Sequence, residues 1–145
     1  MNGTANTTAA LPLLIQRIAL SAFFSVWVLD KFINPEHTAK VFSNFYGIDL
    51  ALNLTWVVGA VQAVILIAFL LGFMKTYSYI LMFAMHAVST LSTYKSLINP
   101  YGNEGSGMLF WAAVPVLAAF WLQFALRKSD TFALDDKLAA GRSEG

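Results

Sequence analysis

Long apolar runs alternate with short polar breaks along the whole chain. A helix that crosses a bilayer needs about 20 mostly apolar residues. Four stretches meet that need: 11–33, 55–74, 77–98 and 108–126. Gln16, Arg17, Asp30 and Lys31 interrupt the first, and Gln62 is the strongly polar residue inside the second. The third is the most polar, with His86, Ser89, Thr90, Ser92, Thr93 and Lys95. The fourth carries Pro115 and Gln123. The pattern predicts an all-α membrane protein. A four-transmembrane-helix bundle occupies 11–128, between a polar N-terminal segment (1–10) and a polar tail (129–145).

The breaks predict the connections. Asn34-Pro35-Glu36 reads as a helix start, because Asn caps, Pro suits the first helical position and Glu complements the dipole. From there to Tyr46, Val41, Phe42, Phe45 and Tyr46 share one face, while Lys40, Ser43 and Asn44 share the other. A short interfacial amphipathic helix between helices 1 and 2 fits, with Gly47 ending it. Lys75-Thr76 leaves almost no loop, so helices 2 and 3 are antiparallel neighbours. Pro100, Gly102, Gly105 and Gly107 mark a turn-rich third connection. Pro115 predicts a kink in helix 4. In the tail, Ser129 or Asp130 can cap a short helix through Leu138 that Gly141 closes.

Composition narrows the functional classes. The chain is 58% hydrophobic and 12% charged, against about 25% charged in soluble domains. A net charge of +1 offers nothing to a nucleic-acid backbone. With no cysteine, disulfides, thiolate metal sites and thiol redox chemistry within this chain are excluded. Asp30-Lys31-Phe32 follows the first run where a cleavage site would stand, so that run is a retained helix and not a signal peptide. Arg17, Lys75, Arg127, Lys128, Lys137 and Arg142 lie on the side of both termini. Lys31, Lys40 and Lys95 lie opposite. Six against three places both termini in the cytoplasm.

A charge at mid-bilayer costs about 2.5–3.5 kcal/mol on insertion scales. Arg17 therefore either snorkels to headgroups or faces inward toward an acidic or quinone-like ligand. Arg17, Ser21, Phe24, Val28 and Lys31 recur at steps of three and four, a stripe suited to the bundle interior. In the blander reading, Asp30 and Lys31 only mark the membrane boundary. His86 begins a second polar stripe with Ser89, Thr90 and Thr93, which Gln62 faces across the tight hairpin. That stripe is either interhelical hydrogen-bonding glue or a site in which Arg17, Gln62, His86 and Thr90 hold a quinone-like cofactor. His86 has no second histidine within the bilayer for haem, and no metal-spaced cluster, nucleophile–base pair or phosphate loop occurs. Catalysis by this chain alone is not expected. The partners expected are the lipid bilayer and a protein partner or a second copy.

Three features resemble the DoxX family of small four-helix bacterial membrane proteins. Arg17 and Lys31, fourteen residues apart, frame the first helix. Lys31-Phe32-Ile33-Asn34-Pro35-Glu36 resembles the family's Lys-Phe-x-Asn-Pro-Glu stretch and leads into the amphipathic piece ending at Gly47. Gly59 stands three residues before the polar Gln62, and an apolar run follows to Gly72. The likeness covers roughly residues 13–126. Val28 stands where the family often has Gly, and Gln62 where it often has Glu. An amide removes any proton-carrying role at that position. The resemblance implies a membrane subunit or accessory protein of a quinone-linked or thiol and oxidative-stress redox complex. The alternatives are a non-catalytic scaffold or assembly factor and a small transporter.

Overall fold

The computed structural model describes residues 3–102 and 107–143, and every regular element among them is helical. Helix α1 (Gly3–Ile33) begins before the predicted boundary. Its inward face carries Ala10, Leu13, Arg17, Leu20, Ser21, Phe24, Val28 and Lys31, all buried. The predicted stripe is therefore the packing face. Leu11, Ile15, Ile18, Val26 and Leu29 are exposed on the other side. A helix apolar on its outer surface as well as its inner one is made for hydrocarbon.

Asn34 ends α1 and starts α2 (Pro35–Val41), its side chain accepting from the His37 N–H. The Asp30 carboxylate meets His37 Nδ1 at 2.8 Å and accepts from the Thr38 hydroxyl at 3.0 Å, which fixes the corner. The second half of the predicted amphipathic helix, Phe42–Tyr46, is a wider π turn, closed by Gly47 at φ 66°. Helix α3 (Leu52–Leu71) returns antiparallel to α1. Gly59 lies against Lys31 and Phe32 at one end of this contact, and Gly72 against Arg17 at the other. Gly72 at φ 66° and Met74 at φ 48° turn the chain tightly into α4 (Lys75–Ser92).

Two predicted spans are interrupted. The third breaks at Thr93 and resumes as α5 (Tyr94–Ile98). There the Ser92 hydroxyl donates to the Ser89 carbonyl at 2.7 Å and that of Thr93 to the Thr90 carbonyl at 2.8 Å, local bonds that compete with the helical ladder. The fourth consists of α6 (Gly107–Phe110) and α7 (Ala113–Ala125). Pro115 has no N–H for the Trp111 carbonyl, and Val114 N–H closes a tighter bond to it at 3.1 Å. Helix α8 (Leu134–Ser143) starts later than predicted and runs through Gly141, which does not close it.

Three stretches are long and apolar enough to cross a membrane: 8–33, 52–71 and 107–125. Helix α4 packs between α3 and α7 and is more polar. At the centre, the Phe69 ring meets Tyr79 at 4.9 Å and Phe120 at 5.7 Å, and Phe120 meets Phe24 at 6.2 Å. Arrangements at such separations add about 0.5–1.5 kcal/mol each beyond area burial.

Gly72 is the glycine this arrangement requires. A Cβ there would lie 2.5 Å from Ala133 Cβ and 2.7 Å from Arg17 Nη1, at a φ that L side chains rarely adopt. Gly72→Ala is expected to cost more than about 1 kcal/mol, read as a lower unfolding midpoint in detergent. Gly141→Ala, where a Cβ meets nothing within 4 Å in a helix, is expected to leave the midpoint unchanged or raise it.

Candidate functional site

Arg17 is 1% exposed and Asp130, which follows α7, is 0% exposed. Their charges meet: Arg17 Nη1 donates to Asp130 Oδ2 at 2.6 Å. The same nitrogen donates to the Tyr79 hydroxyl at 2.9 Å, and that hydroxyl donates onward to Asp130 Oδ2 at 2.7 Å. Gln123 Nε2 gives Oδ2 a third bond at 2.8 Å. Arg17 Nη2 donates to the Phe132 carbonyl at 2.8 Å. Three helices, α1, α4 and α7, thus aim one donor each at a single oxygen of the segment that follows α7. Without a side chain, Gly72 lets the buried Ala133 and the guanidinium come this close.

A second layer ties the tail to the α3–α4 turn. The Asp135 carboxylate accepts from Met74 N–H and Lys75 N–H, each at 2.8 Å, and so caps the α4 N-terminus, whose own N-cap side chain makes no bond. A negative charge there also complements the helix dipole. Lys75 Nζ donates to Asp136 at 2.5 Å and to the Asp130 carbonyl at 3.1 Å. Asp135 N–H donates to the Gly72 carbonyl at 3.2 Å. The stretch expected as a free polar tail, 129–145, is over its described residues a latch held by Asp130, Asp135 and Asp136.

Burying an ion pair removes both charges from water. The attraction offsets that only where further hydrogen bonds serve the remaining groups. Asp130 Oδ2 is fully served. Arg17 Nε, Gln123 Oε1 and Asp130 Oδ1 have no hydrogen-bond partner among the described residues. The cluster is therefore neutral overall and strongly directional, and it holds unsatisfied donors and acceptors side by side.

The four residues expected to line one ligand stripe are not brought together. Arg17 pairs beside Tyr79, seven residues before His86 on α4, which is about 10 Å along a helix. His86 Nε2 lies 3.1 Å from the Ala113 carbonyl, and its ring packs against Phe23 at 5.6 Å and Phe120 at 5.3 Å. The Thr90 hydroxyl bonds back to the His86 carbonyl at 2.8 Å. Gln62 is half-buried, and among the described residues its Oε1 has no partner and it makes no bond to His86. Of the alternatives for Arg17, the inward-facing one holds, with a partner supplied by the chain itself. By its local pattern Asp130 reads only as a possible helix cap, because it sits in a polar stretch. The available signal was the arginine inside an apolar helix, which calls for an acid at the same end of the bundle. Among the described residues no three His, Asp or Glu lie close enough to hold a metal ion.

Comparison with family models, with characterised proteins and with solved structures finds no match to this chain.

Arg17→Met leaves the Asp130 carboxylate buried without its counter-charge. The expected loss is about 3–5 kcal/mol, measured by unfolding in detergent. Arg17→Met combined with Asp130→Leu is expected to cost clearly less than the sum of the single changes. Both single variants, Arg17→Met and Asp130→Asn, are expected to open 129–143 to protease.

Proposed function

We propose that this chain is a four-span inner-membrane protein with cytoplasmic termini, acting as a non-catalytic assembly subunit for a membrane partner. One observation carries the reading. The polar side chains best placed to hold a ligand are engaged inside the protein: Arg17 with Asp130, His86 with the Ala113 carbonyl, Thr90 with its own helix. The outer surface is an apolar belt in which Val61, Val64, Ile67, Val88, Leu91 and Trp121 are exposed. Helix α4 completes the set of four spans on this reading. It turns Ser78, Tyr79, His86 and Thr90 inward and Leu81, Val88 and Leu91 outward. The latch then lies at the cytoplasmic end, among Lys75, Arg127 and Lys128, in accord with the bias of basic residues. The likeness to DoxX proteins suggests a redox complex as the partner.

A second reading, a quinone-linked redox accessory, draws on the interior at mid-height. There Ser21 Oγ and Gln62 Oε1 are buried atoms without partners among the described residues, and His86 sits in an aromatic setting. On that reading the headgroup takes Gln62 and His86 but not Arg17.

Purification in mild detergent, with mass spectrometry of bound proteins and extracted quinone, separates the two. The scaffold reading expects a stoichiometric protein partner that His86→Leu retains and Asp130→Asn weakens. Quinone retained by the wild type and lost in His86→Leu moves the assignment to the second reading. A chain that purifies with neither overturns both. For topology, a single cysteine placed at Ser129 is expected to react with a membrane-impermeant thiol reagent from the cytoplasmic side, and one at Ser96 from the opposite side. The reverse pattern overturns the orientation.

A further inference from the structure

At the end of the bundle opposite the latch, two irregular stretches of backbone face each other. One is the π turn Phe42–Tyr46 and the other is the break between α4 and α5 at Thr93. Departures of this kind from the regular ladder recur at functional sites. At membrane depth, irregular backbone is tolerated where it is buried in protein or lines a water-filled cavity. A cavity of about 310 Å³ lies between them, walled by Asn44, Phe45, Ser92, Tyr94, Lys95 and Ser96. That is the lower end of the size range of small-molecule sites, about 300–1,000 Å³.

The lining has a definite chemical character. Among the described residues, Lys95 is its charged residue, no carboxylate lines it, and Lys95 has no ion-pair partner. The Ser92 and Thr93 hydroxyls already donate to their own helix and present oxygen lone pairs. Asn44 and Ser96 make no side-chain hydrogen bond among the described residues and add donors. Outside the opening, Leu91 on α4 at 68% exposed and Ile98 at the end of α5 at 78% lie on the outer surface of the bundle. A cation and neutral donors in the pocket, beside apolar surface, match an anionic oxygen attached to hydrocarbon. We propose that this cavity binds the phosphate of a phospholipid headgroup from the leaflet at this end, with Lys95 as its counter-ion and the acyl chains along Leu91 and Ile98. The location rests on the four-span reading given above. The phosphate chemistry rests on the lining alone.

The test equilibrates the full chain in detergent with phosphatidylglycerol, with phosphatidylcholine or with inorganic phosphate, and reads bound ligand by native mass spectrometry. The wild type is expected to retain one phosphatidylglycerol in preference to phosphatidylcholine. Lys95→Gln is expected to lower that retention about tenfold. Lys40→Gln, at the same end and outside the cavity, is expected to leave it unchanged. Equal loss in both lysine variants, or none in either, overturns the site. Inorganic phosphate binding as tightly as the lipid, and lost in Lys95→Gln, keeps the phosphate site and overturns the lipid as its source. Since the Lys95-to-Lys40 comparison is made in detergent, it stands whatever the cysteine-labelling experiment shows of orientation.

Discussion

A guanidinium on the inner face of an apolar helix sets the terms for the rest of this molecule. Arg17 is buried, so neither water nor headgroups neutralise it, and hydrocarbon offers no counter-charge. The chain solves this by returning after α7 to place Asp130 against it. Several otherwise unrelated features then follow. Tyr79 and Gln123 are polar inside apolar helices because the carboxylate needs donors. Gly72 lacks a side chain because the returning segment must pass close to α3. Asp135 caps α4 because the tail, once held at Asp130, crosses the α3–α4 turn.

The two ends of the bundle are built differently. The latch end is closed by charges that neutralise one another within the protein. The opposite end carries Lys95, without an ion-pair partner among the described residues, beside a polar cavity, a π turn and an interrupted helix. Between them lies an aromatic interior of Phe24, Phe69, Tyr79 and Phe120. The mid-bundle histidine contacts backbone and rings, with no part in the ion pair.

Much of the fold was legible from local pattern. Apolar length predicted the long helices, and steps of three and four along α1 identified its packing face, Arg17 included, because helical periodicity is a local property. Asn34-Pro35-Glu36 and Gly47 delimited the segment between α1 and α3, since capping depends on a few adjacent groups. The helix breaks were harder. Pro115 signalled an interruption near Trp111 through its missing N–H, but the break at Thr93 depends on hydroxyls that could equally have pointed into the bundle.

The sequence by itself determined that the long helices are apolar enough for a bilayer and that one of them carries an arginine, either snorkelling to headgroups or facing inward; burial in the fold chose the inward side. The sequence also determined that the only acids near that end lie in the tail. Only the tertiary structure decided which acid the arginine takes, for Arg17 and Asp130 are separated by 113 positions. The same holds for the ligand stripe expected from Arg17, Gln62, His86 and Thr90. Shared polarity suggested one site, whereas the fold holds Arg17 to Asp130 and His86 to the Ala113 carbonyl, with the Thr90 hydroxyl bonded back to the His86 carbonyl. Pairing across such distances depends on where whole helices come to rest, and no local pattern of residues encodes that.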